Sequence, residues 1–182
     1  MKYVFLLFVL FFISCSSEEE VTTPQIYEGE ITTSALKGYN LIDDAIKEID
    51  ADSKLFQIST ENINIAGESS KWSYSFMNQT GDTLYTINLE FGSDYISIRS
   101  DTLLYNMVGA SIITKSWIDS DMILNIAEKN GGKEFRNNNS DYIISISLSE
   151  AVVPNSYPVW NVNYNAVNKL LIRINAVTGK VE

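Results

Sequence analysis

Apolar residues recur along this chain at two periods. Leu41, Ile42, Ala45, Ile46 and Ile49 fall at i, i+1, i+4, i+5 and i+8, one stripe at the 3.6-residue period of an amphipathic helix. Asp43, Asp44, Lys47 and Glu48 take the other side, so a helix is predicted over residues 38–51. The period then drops to two. Phe56 and Ile58, then Ile63 and Ile65, alternate with polar residues as strands covered on one face do. Trp72-Ser73-Tyr74-Ser75-Phe76 alternates aromatic with small polar residues, and Asn78-Gln79-Thr80-Gly81-Asp82 gathers turn formers. Tyr85, Ile87, Leu89 and Phe91 alternate again, Gly92-Ser93-Asp94 marks a turn, and Ile96 and Ile98 open another strand. The first half therefore reads as a helix followed by an antiparallel meander.

The second half follows the same scheme. Ile118, Met122, Ile123, Ile126 and Ala127 form a second helical stripe, with Asp119 or Ser120 as its cap and Gly131-Gly132 as its stop. Tyr142, Ile144, Ile146 and Leu148 alternate as a strand. Trp160-Asn161-Val162-Asn163-Tyr164 repeats the pattern of Trp72 to Phe76, residues 165–168 form a turn, and Leu170, Ile172, Ile174 and Ala176 make a strand that ends at Thr178-Gly179. The spacing from Trp to closing Gly is nearly the same in both halves. Chance alternation in a β-rich sequence also produces such likeness, but helix order, Trp placement and turn spacing agree together, which predicts a duplication. The expected fold class is α+β: two tandem units, residues 34–107 and 108–182, each a helix packed on an antiparallel sheet of three or four strands. Trp72, Tyr74, Phe76, Trp160 and Tyr164 stand at strand period and are expected in the core.

The first residues lie outside that scheme. Lys2 precedes an apolar run from Tyr3 to Ile13, shorter than the roughly 20 residues of a membrane span and suited to the core of a secretory signal. The run ends at Ser14-Cys15-Ser16-Ser17. A small residue directly before the only Cys resembles a bacterial lipobox, although Phe12 stands where Leu is commoner and the positive region is a single Lys. The resemblance implies a signal peptide over residues 1–14, acylation of Cys15 (palmitate among the chains) and a mature chain that begins there; the alternative is an ordinary signal peptide with a Cys nearby. Residues 15–33 are polar and read as a tether. Ser16 directly after the Cys resembles the sorting pattern of outer-membrane lipoproteins, on the periplasmic or surface face. Glu18-Glu19-Glu20 either resembles a surface-export signal or is simply solvated.

Composition removes several classes of chemistry. The chain has no His, so it holds no Ser-His-Asp or Cys-His set and no imidazole ligand. One Cys permits no internal disulfide and no Cys-rich zinc site. A net charge of −10 argues against nucleic acid as a partner.

Pro158-Val159-Trp160-Asn161-Val162-Asn163-Tyr164 and Leu171-Ile172-Arg173-Ile174-Asn175-Ala176-Val177-Thr178-Gly179-Lys180-Val181 resemble a PepSY domain, which commonly ends in a strand pair closing with Asp-Ala-x-Thr-Gly-x-Val. Asn175 stands at the acidic position; Ala176, Thr178, Gly179 and Val181 match. The resemblance is best over residues 115–182 and weaker over 36–101, where no Ala-x-Thr-Gly ending occurs. It implies a cystatin-type helix on a sheet and an inhibitory or binding role in exported proteins, and it carries over no inhibitory residue, because Thr-Gly is a turn marker.

No catalytic residue, metal site or cofactor is expected. Asp119-Ser120-Asp121 lacks the further oxygens, Gly and distal Glu of a calcium loop and reads as a helix cap. Asn130-Gly131-Gly132-Lys133 follows a helix where a phosphate loop must precede one. Tyr105, Trp117 and Tyr157, near element boundaries, are the candidates for anchoring a peptide or glycan; packing between the halves is the competing role. The expectation is a non-catalytic, lipid-anchored envelope protein that binds or inhibits another envelope or secreted protein through edge strands or a sheet face. A structural or assembly lipoprotein, and a carboxylate-dependent hydrolase of envelope polymers, are the alternatives.

Overall fold

The computed structural model describes residues 32–92, 96–104, 111–114, 116–151 and 157–182. Helix α1 (Ala35–Ile49) begins where Ser34, in extended backbone, accepts a hydrogen bond from the Lys37 N–H. Its buried stripe is Ala35, Gly38, Ile42 and Ile46. Strands β1 (Lys54–Thr60), β2 (Lys71–Met77), β3 (Thr83–Phe91) and β4 (Ile96–Leu104) follow as a meander. Helices α2 (Ser120–Ala127) and α3 (Lys133–Asn138) then lead into β5 (Ile143–Glu150), β6 (Pro158–Asn165) and β7 (Lys169–Asn175).

The fold is α+β, as expected, but not as two units each with its own sheet of three or four strands; the sequence leaves open whether the halves share a sheet, and here they do. All seven strands lie in one antiparallel sheet, ordered β4-β3-β2-β1-β5-β6-β7. The join is β1 against β5, with Gln57 opposite Ser149, Ile58 opposite Leu148, Ser59 opposite Ser147 and Thr60 opposite Ile146. Ile58 and Leu148 are both fully buried, so apolar meets apolar across the seam. Pairing also removes two edges that each half would otherwise expose.

One further expectation is corrected. Ile63 and Ile65 do not belong to a strand: residues 61–69 form a loop held by the Asn64 side chain, whose Oδ1 accepts from the Ala66 and Glu68 N–H groups. Gly131-Gly132 does close the second helix, as expected: Asn130 (φ −111°, ψ 36°) and Gly131 (φ 113°) leave helical geometry, and a separate short helix, α3, begins at Lys133.

Each half places its Trp in the same way. The Trp72 indole donates to the Thr33 carbonyl at 2.9 Å and the Trp160 indole to the Ile118 carbonyl at 2.8 Å. Both carbonyls belong to the residue before a helix cap, Ser34 or Asp119. As expected, Trp72, Tyr74, Phe76, Trp160 and Tyr164 are buried. The N-termini of α1 and α2 meet, because the Ala35 N–H donates to Ser120 Oγ at 2.9 Å and the Leu36 N–H to Asp119 Oδ1 at 2.9 Å. Asp119 also accepts from the Ser120 N–H at 2.7 Å, so one carboxylate serves the positive ends of two helices.

Candidate binding face

Strand alternation sends successive side chains to opposite faces, and the helices cover only one of them. On the helix side lie the Trp, Tyr, Ile and Leu residues of the core. On the other side the register aligns Asn88, Ser73, Ser59, Ser147, Asn161 and Arg173 in a single row from β3 to β7. At about 4.8 Å between neighbouring strands that row spans roughly 24 Å. A second row runs Thr86, Ser75, Gln57, Ser149 and Val159. Of these eleven side chains Arg173 is exposed, Val159 is buried, and the others are partly exposed. Ser75 and Thr86 share a hydrogen bond at 3.3 Å.

Charge is kept to the margins of this face. Lys71 and Glu90 pair at 2.7 Å towards β3, and Arg173 meets Glu182 at 3.7 Å on β7. Between them the described residues are hydroxyls and amides, in a chain of net charge −10. Apolar side chains flank the polar middle. Met77, two residues along β2 from Ser75, shares its face with Val159; both are buried and neither joins the helix-side core. At the far end Ile143 and Leu171, in register with this face, are exposed by 57 % and 53 %. The register slips between Leu55 and Gln57. This bulge puts the extra residue, Phe56, outside the helix-side core as well.

Of the expected site residues, Trp117 and Tyr157 are described. Trp117 lies on the helix side, edge-on to Tyr39 at 6.4 Å and to Trp160 at 5.8 Å between ring centres. It is the packing element between α1 and β6, and it walls a groove of about 420 Å³ with Tyr39, Asp43, Lys47, Ser53 and Lys54. Burial, with the Asp43 charge behind it, pushes the Tyr39 hydroxyl above its ordinary value. Tyr157 precedes β6, where its hydroxyl donates to Glu182; that bond and the Glu182 charge raise its pKa, with desolvation between them in size. Tyr105 and Cys15 lie outside the described residues. The sequence reading missed the row of Ser and Asn, although its signal was present: β2, β5 and β6 each alternate aromatic or aliphatic residues with Ser or Asn.

One ionic cluster stands beneath the helix kink. Arg136 holds Glu128 through a two-point ion pair, and the Tyr164 hydroxyl donates to Glu128 Oε1 at 2.9 Å. Desolvation works to raise the Glu128 carboxyl, but the Arg136 and Tyr164 hydrogen bonds and the nearby cations outweigh it and hold it below the usual range. The Tyr164 hydroxyl is pushed well up, first by burial and then by Glu128. A carboxyl tuned this way stays ionised at neutral pH, whereas a general acid needs one tuned upward.

Among the described residues no group of three or more acidic or thiol side chains is placed to hold a metal ion, and no helix is long and apolar enough to cross a membrane. Comparison with protein-family models, curated proteins and solved structures finds no match to this chain.

Proposed function

We propose that this chain is a non-catalytic, lipid-anchored protein of the bacterial envelope that binds another envelope or secreted protein through the helix-free face of its sheet. The observation that carries the reading is the row Asn88-Ser73-Ser59-Ser147-Asn161, neutral and, among the described residues, covered by no helix. Small hydroxyl and amide side chains leave the face low and offer both donors and acceptors. No Trp or Tyr among the described residues belongs to either row. This favours a protein surface over a glycan, which stacks on aromatic rings. The exposed Ile143 and Leu171 supply apolar contact at the rim.

The same proposal takes the sheet as two tandem PepSY-like units joined by their first strands. Supporting it are the repeated helix-then-strands order, the matching indole bonds to Thr33 and Ile118, and the strand order β3-β2-β1 facing β5-β6-β7.

The test is site-specific photo-cross-linking in intact envelopes. A photoreactive residue at Ser147 should capture one identifiable protein, and the same residue at Met122, exposed on the helix side, should not. Ser59→Arg, opposite Ser147 in the same row, should remove the capture from position 147 while the circular dichroism stays unchanged. With no charge in the middle of the face, binding should change little between 50 and 500 mM salt, about a threefold change in screening length. Equal capture from both positions, or none from Ser147, would overturn the reading.

A further inference from the structure

We infer that the outer edge of β7 is a docking site for one extended strand of a partner protein that alternates apolar and acidic residues. The inference rests on the tandem reading, which makes β7 the counterpart of β3. Leu89 and Ile174 face Trp72 and Trp160 in register, so the two strands occupy equivalent places. On β3 the next place is filled by β4, paired along all of Thr83–Phe91. On β7 the described residues fill it with one bridge, Ile174 to Val181.

The backbone direction of the edge follows from that bridge. Asn175 N–H donates to the Lys180 carbonyl, and Glu182 N–H to the Arg173 carbonyl, so residues 175 and 173 turn their polar groups outward. Antiparallel alternation then turns Leu171 and Lys169 outward too, beyond the reach of the bridge. Leu171 is 53 % exposed. The bridge also displays the pairing rule. Val181 sits opposite the buried Ile174, and the next residue along, Glu182, faces Arg173 with its carboxylate 3.7 Å from the guanidinium. Continued along β7, the rule asks for apolar residues opposite Ile172 and Leu170 and an acidic one opposite Lys169.

Charge also counts against a second copy of this chain centred on Leu171. Two β7 edges paired about Leu171 would set Lys169 directly opposite Arg173 of the other molecule, and like charges in that position destabilise a strand pair. The edge therefore resists its own kind and accepts an acidic-apolar guest, which takes over the short Val181 bridge.

The probe is an acetylated, amidated peptide, Lys-Val-Glu-Ile-Thr-Ile-Glu, titrated into the full-length protein in detergent micelles. NMR-detected exchange should show the Leu171 amide slowed more than tenfold at saturation. N-methylation of the peptide Thr, whose N–H faces Leu171, should abolish binding, and replacing both Glu by Lys should weaken it at least tenfold. Leu171→Pro removes a donor that the sheet does not use and should block the peptide; the methylated peptide reads the same bond without altering the fold. An unchanged Leu171 amide, or equal binding of the methylated peptide, overturns the inference. Ser59→Arg should leave peptide binding intact, since β5 and β6 separate β1 from the edge. Loss of the peptide effect with capture from Ser147 retained would therefore sink the edge alone.

Discussion

Removing one buried hydroxyl should weaken both halves of the sheet protein together. Ser120 is fully buried, and its Oγ joins three segments: it accepts from the Ala35 N–H at 2.9 Å and donates to the Gly67 carbonyl at 2.7 Å, while Ser120 itself begins α2. Ser120→Ala leaves a buried donor at the start of α1 and a buried acceptor in the 61–69 loop. At about 1–3 kcal/mol for each buried group left unmet, partly relieved by relaxation, the loss should be about 2–4 kcal/mol. For a fold of this size that is a fall in Tm of roughly 5–15 °C. Urea unfolding followed by Trp fluorescence and by far-ultraviolet dichroism should show a lower midpoint with an unchanged slope, and the two signals should move together. Because Ala35 and Gly67 belong to one half and Ser120 to the other, a mutation in α2 should destabilise α1 equally. A loss below about 0.5 kcal/mol, the range of an ordinary surface substitution, or separate transitions by the two signals, would refute the idea that this junction binds the halves.

Other expectations follow from the same structure. An added Cβ at Gly38 or Gly132 would lie 2.2 Å from the hydroxyl of Tyr74 or Tyr164, so Gly38→Ala and Gly132→Ala should each cost about 1–3 kcal/mol from overpacking, measured by thermal unfolding. Glu128 is held below its unfolded pKa, so its contribution to stability is present above the ordinary Glu range and is lost as pH falls through the lower folded value. Glu128→Gln should thus be less stable than wild type at pH 7, with the gap closing in acid, as read by urea midpoints across pH 2–7. Cys15→Ala should abolish labelling by a lipid analogue and release the protein from membranes; unchanged membrane retention would refute the anchor.

The residues that read most clearly in the sequence are those whose neighbours are local. Period 3.6 located α1 and α2, and period two located the Trp72 and Trp160 strands, because a core face imprints itself on consecutive residues. Asp119 and Ser120 were legible as a cap for α2, but not as acceptors for the first N–H groups of α1 beside its own cap Ser34, since Leu36 and Ala35 are distant in sequence. The same limit hid the β1–β5 seam: Ile58 opposite Leu148 is a long-range match that many other apolar pairs would satisfy. Gly131-Gly132 was legible as the stop of α2, because a Gly at positive φ ends a helix locally; that Gly132 must also stay small was not, since Tyr164, whose hydroxyl occupies the space beside it, is distant in sequence. The row of Ser and Asn was missed for a different reason. Trp117 and Tyr157 stand out as isolated large side chains, whereas the row consists of small residues that become a surface only once five strands align them.

The seam between β1 and β5 has a consequence in time. Strands β1 to β4 join through short connections, as do β5 to β7, so each set closes from nearby segments. The β1–β5 pairing must wait for everything between them, including β2, β3, β4 and α2, and such long-range contacts slow folding. A chain made or exported from its N-terminus therefore passes through a stage in which β1 is an open edge with Ile58 at its centre. Any strand met during that interval, including one from a neighbouring copy, competes with β5 for the same hydrogen bonds. The middle of the finished sheet, its most buried part, is thus where the unfinished molecule is most exposed to mispairing.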